Sequence, residues 1–153
     1  MKIWVKYFGL FALCLWIGYL IGTHFSLFSL SMISNEKTRF INLSPGDGQR
    51  ALLVFNLSVG IIPLLYLIVK KVTKINSVKQ IFTTLGIIIG SGTLFWIFRL
   101  LNLKFRLLNM PSFFGEEVND VAVSTLRFEQ YFLLGLIVGT VLSLFIYRKR
   151  RLN

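Results

Sequence analysis

Apolar residues in this chain gather in long unbroken stretches instead of alternating with polar ones. Four segments hold no Asp, Glu, Lys or Arg: 7–35, 51–69, 81–98 and 131–147. A helix needs about 20 mostly apolar residues to cross the hydrocarbon core of a bilayer, with about 17 as the lower limit. All four segments reach that limit, the first with a turn or two to spare. Barrel strands alternate apolar and polar positions, which these runs do not. In lipid the backbone must satisfy its own hydrogen bonds, so helices are the remaining solution. The pattern predicts an all-α integral membrane protein, a bundle of four transmembrane helices forming one membrane domain. The helices fall at about 7–30, 51–69, 81–99 and 131–147, with outer loops 31–50 and 100–130 and an inner hairpin 70–80.

Composition agrees with this: 55% of residues are hydrophobic and 15% charged, where a soluble surface takes about 25% charged residues. The formal net charge is +11, and its placement predicts orientation. Basic residues near helix ends stay on the cytoplasmic side. With both termini inside, the inner segments carry Lys2, Lys6, Lys70, Lys71, Lys74, Lys79, Arg148, Lys149, Arg150 and Arg151, with no acid among them. All six acids, Glu36, Asp47, Glu116, Glu117, Asp120 and Glu129, fall on the outer side. The expected arrangement is therefore N-in/C-in, multi-pass, in the plasma membrane, or in the inner membrane of a bacterium with two. The inner basic flanks serve anchoring and attraction to anionic headgroups. No separate basic domain exists to hold a nucleic acid, so membrane lipids are the expected partners and nucleic acid is not.

Three glycine pairs lie four residues apart inside the predicted helices: Gly18 and Gly22, Gly86 and Gly90, Gly135 and Gly139. Independent placement of the glycines gives about one such pair in the chain; the spacing puts both on one helix face, where a neighbouring backbone can approach. These faces are expected to pack the bundle internally or to form a self-association seam. Helix two differs. It carries Asn56 and Ser58, expected to hydrogen-bond across to a neighbouring helix, and Pro63, which frees the carbonyl of Val59 and bends the helix. Thr83, Thr84, Ser91 and Thr93 of helix three can bond back to their own backbone.

Lys2 and Lys6 before an apolar run resemble the start of a signal peptide, but the run is too long and no small-x-small cleavage site follows, so helix one is expected to remain as an anchor. Leu13 before Cys14 fails a lipoprotein box. No acid or base lies mid-helix, which counts against proton-coupled transport. A lone histidine, His24, and a lone cysteine, Cys14, exclude a disulfide or Cys-pair redox chemistry and make no metal site. No catalytic residue, metal ligand or cofactor is assigned. After helix three, Arg99, Asn102, Arg106 and Asn109 are spaced 3, 4 and 3 apart, one face of a helix whose other side is Leu and Phe, ended by Pro111. This predicts an interfacial amphipathic helix in the headgroup plane, with Arg99, Lys104 and Arg106 as candidate lipid or anion ligands. A turn signal occupies 42–48, and Glu116, Glu117 and Asp120 form an acidic loop read as a solvated counterweight to the basic residues.

Four helices with both termini inside, a first outer loop and a longer one after helix three, resemble the plan of the lipoprotein signal peptidases. The stretch from Gly86 to Arg99, ending Phe95-Trp96-Ile97-Phe98-Arg99, is similar to the glycine-rich third helix of that family. Its two catalytic aspartates sit at the outer ends of helices three and four. Here the third-helix position has no acid and helix four offers only Glu129 nearby, so the resemblance covers topology and not the peptidase motifs. Three functions stand at this stage: a non-enzymatic accessory or interaction subunit that binds another membrane protein or itself, a lipid-handling protein or enzyme at the outer headgroup layer, and a small homo-oligomeric pore.

Overall fold

The computed structural model describes residues 2–34, 38–41, 46–73, 77–109 and 119–149. The chain is nearly all helical, with four helices long and apolar enough to span a membrane. They are α1 (Lys2–Ile33), α2 (Asp47–Thr73), α3 (Val78–Leu108) and α4 (Phe128–Lys149). α2, α3 and α4 run past both ends of their uncharged cores, and α1 past the start of its own. Asp47 in the first turn of α2 and Lys70 and Lys71 in its last turn complement the helix dipole. Pro63 lies buried inside α2.

Among the described residues the departure from an all-helical chain is a pair of four-residue strands, β1 (Thr38–Ile41) and β2 (Asn119–Ala122). They pair in parallel, Thr38 opposite Asn119 and Phe40 opposite Val121, with Arg39 opposite Asp120. Strands this short are not stable alone. Phe40 and Val121 pack on a core of Ile33, Leu100, Leu107, Leu126 and Phe128, which also ties the ends of α1 and α3 together. A second core, Leu65, Val69, Ile88, Leu136 and Tyr147, joins α2, α3 and α4 toward the opposite end. The helices lie in the order α1–α2–α4–α3, each packed on the next. α1 meets α3 near the strands, where Trp96 donates its indole N–H to the Ser29 hydroxyl at 3.0 Å and its ring lies tilted against Phe25, centres 5.2 Å apart.

This arrangement contains one unit twice. α1–β1–α2 and α3–β2–α4 are both helix–strand–helix, and the strand register relates positions 81 residues apart (38 to 119). The same offset relates the helix starts: the Arg50 N–H bonds the Gly46 carbonyl as the Tyr131 N–H bonds that of Arg127. Buried Tyr66 and Tyr147 are also 81 apart. In the leading helices, Gly22-Thr23-x-Phe25-x-x-Phe28-x-Leu30 repeats as Gly92-Thr93-x-Phe95-x-x-Phe98-x-Leu100. Contacts repeat too: Gly22 faces Phe55 of α2, and Gly92, 70 residues on, faces Leu136 of α4, the 81-residue counterpart of Phe55. Parallel strands and like-directed hairpins place a pseudo-twofold axis along the bundle, between α2 and α4.

Candidate functional site

The three glycine pairs have different surroundings. A Cβ on Gly18 would stand 3.1 Å from Asn56 Cα, and one on Gly22 3.0 Å from Leu52 Cδ2, so this pair lies against α2. A Cβ on Gly135 would stand 2.5 Å from the Ser91 carbonyl oxygen, and one on Gly139 2.8 Å from that of Ile87, so this pair presses onto the α3 backbone. The third pair departs from the packing expectation: among the described residues nothing lies within 4 Å of a Cβ on Gly86 or Gly90. The reason is the row order of the helices, which gives α3 only one full neighbour. Gly92, not singled out by spacing, is the α3 glycine that packs inward, against Leu136 and Phe132.

The open glycines belong to a longer stripe. Phe82, Gly86, Gly90, Leu94, Phe98, Leu101, Phe105 and Leu108 recur every three or four residues along α3. Phe82, Phe98 and Phe105 are 72%, 65% and 70% exposed. At about 1.5 Å per residue, the 31 residues of α3 reach about 46 Å, well beyond a hydrocarbon core of about 30 Å.

The expected interfacial helix is therefore not a separate element: α3 continues unbroken through Leu108, since no Gly or Pro interrupts it after Gly92. Its residues point three ways. Leu100 and Leu107 are buried in the core beneath the strands. Lys104 and Arg106 are exposed. Arg99 is not available as a lipid ligand in the way its spacing suggested. Its Nε and Nη2 donate to the carbonyls of Leu126 and Thr125, both at 3.0 Å, and its guanidinium lies 4.8 Å from the Tyr131 ring centre. The three basic candidates are thus not gathered into one site.

The polar pair of α2 also differs from expectation. Ser58 donates back to the Val54 carbonyl of its own helix at 2.6 Å, and Asn56 Oδ1, at the crossing with α1, has no partner among the described residues. Thr83, Thr84 and Thr93 bond back to their own helix. The acids Glu116 and Glu117, the basic Lys74, Pro111 and most of the 42–48 turn lie outside the described residues.

Sequence reasoning missed a cleft of about 230 Å³ at the strand end, between the start of α2, the 3-10 turn Val123–Thr125 and the start of α4. Asp47 and Arg50 come from α2, Ser124 and Arg127 from the turn and its exit, and Glu129 and Gln130 from α4. Ala51, Val54 and Val123 supply its apolar lining. Arg99 positions this wall by holding the two carbonyls just before Leu126 leads into Arg127. Arg127 has φ of 51°, left-handed backbone that costs a non-glycine residue about 1–2 kcal/mol. Glu129 is half-buried and within electrostatic reach of Arg127. Two cations, Arg50 and Arg127, and two carboxylates, Asp47 and Glu129, thus face one space. The residues come from three separate segments, so only their strain and proximity in the fold mark them. No known family model matches this sequence, and no curated protein or solved structure matches it.

Proposed function

We propose that this protein is a non-enzymatic accessory subunit of a membrane complex, holding a transmembrane helix of a partner against the outward face of α3. The observation that carries this reading is the open Gly86–Gly90 surface within a continuous apolar stripe. Helices gain little from burying apolar groups out of lipid, so tight association needs small residues that let backbones approach. Two of the three glycine pairs are used for that inside the chain, and the third is left for another helix. The charge distribution supports N-in/C-in insertion in the plasma membrane, with strands and cleft outside and the end of α3 in the outer headgroup layer.

The test is purification from native membranes in a mild detergent. A stoichiometric membrane partner is expected, and its mass tells a second copy from a different protein. Gly86→Leu with Gly90→Leu should lose it without lowering the melting temperature of the isolated chain. Recovery of a lone monomer from the unaltered chain would remove the reading. Reporter fusions at 74–76 should report the cytosolic side.

A further inference from the structure

We propose that the cleft between α2, the 3-10 turn and α4 binds the headgroup of a phospholipid bearing a primary ammonium, with phosphate against Arg50 and Arg127 and ammonium against Glu129. The site is independent of the α3 face. Guanidinium groups bind phosphate oxygens by short, charge-assisted, often bidentate hydrogen bonds. The cleft offers two such groups, Arg50 and Arg127.

A bare phosphate or an anionic lipid would satisfy the arginines but would set negative charge beside Glu129. A ligand carrying both signs satisfies the two arginines and the acids, Asp47 as well as Glu129. Among the described residues no aromatic side chain lines the cleft, and a quaternary ammonium is recognised chiefly by aromatic faces. A primary ammonium instead donates hydrogen bonds, which a carboxylate accepts.

Directly below, the wall is apolar and open to lipid. Leu53 and Leu57 follow Arg50 on its face of α2, and Leu134 and Ile137 follow Gln130 on its face of α4, all of them exposed. Polar groups above an exposed apolar wall match an amphiphile better than a soluble phosphate ester.

The repeat adds an independent argument. Counterparts of Arg50, Arg127 and Glu129 at the 81-residue offset are Tyr131, Gly46 and Gly48. The charged set thus exists on one side of an otherwise twofold frame. Arg127 in particular holds strained backbone where the other unit has glycine, as residues under functional constraint do.

The purified full chain in detergent, titrated with dihexanoyl phosphatidylethanolamine, phosphatidylcholine and phosphatidylglycerol and read by native mass spectrometry, tests this. Phosphatidylethanolamine should bind about tenfold or more tightly than the other two, the scale of a charge-assisted hydrogen bond. Arg50→Ala and Arg127→Ala should each weaken it about tenfold, and Glu129→Gln should bring it to the level of phosphatidylcholine. Lys104→Ala should change nothing. Arg50 is exposed, so its variant keeps the test valid if another fails to fold, as circular dichroism will reveal. Equal binding of the three lipids, or a preference that survives Glu129→Gln, overturns the proposal. So does soluble phosphoethanolamine binding as tightly as the lipid, which would make the ligand a free ester.

Discussion

At the scale of single residues, identical glycine spacing hides opposite roles. A methyl group at Gly135 meets the backbone of α3, which cannot swing aside as a side chain would. Gly135→Ala is expected to destabilise the protein by about 1–3 kcal/mol through overpacking. Gly86→Ala should be neutral or mildly stabilising, since it adds helix propensity in open space. Thermal unfolding of both variants in one detergent makes the comparison. Arg127→Gly should raise stability by up to about 1 kcal/mol, because relief of left-handed backbone outweighs glycine's added chain entropy. A lower melting temperature for this variant would mean that the side chain itself holds the α4 start. Ser143 is fully buried with its hydroxyl unpartnered among the described residues. Ser143→Ala should therefore stabilise by about 1 kcal/mol in the same assay.

Among the elements, the four helices were legible because absence of charge over a membrane's width has few other meanings. Their ends were not. Lys and Arg flanks continue a helix as readily as they anchor it, and the Arg99–Asn109 pattern read as a second helix is the last part of α3. The strands escaped notice because four residues carry too little alternation, and their pairing depends on a core supplied by α1 and α3. The repeat is written at Gly22-Thr23 and Gly92-Thr93, but glycine pairing masks it, because the packing member of α3 is Gly92, outside any pair. The cleft was out of reach, since no local spacing brings Arg50 to Glu129. Arg99 is the element-scale link, fastening α3 to the turn before α4. Arg99→Gln should cost about 1.5–3 kcal/mol from two charge-assisted bonds, less what water at its half-exposed edge returns. Arg99→Lys should not restore it, because one ammonium lacks the planar fork that spans two adjacent carbonyls. Faster amide exchange at residues 125–131 in both variants is the matching observation.

For the whole molecule, the axis between α2 and α4 makes the covalent link through 74–76 a convenience of synthesis. Each half holds two helices long and apolar enough to cross a membrane, so each keeps a complete helical hairpin of its own. A chain severed in that connector and expressed as two pieces should reunite in the membrane, guided by strand pairing and the contact of α2 with α4. A protein made of one half alone would need a second copy to pair with, and its two rims would be equal. Fusion frees one rim from matching the other, so that a new charge there appears once and not twice.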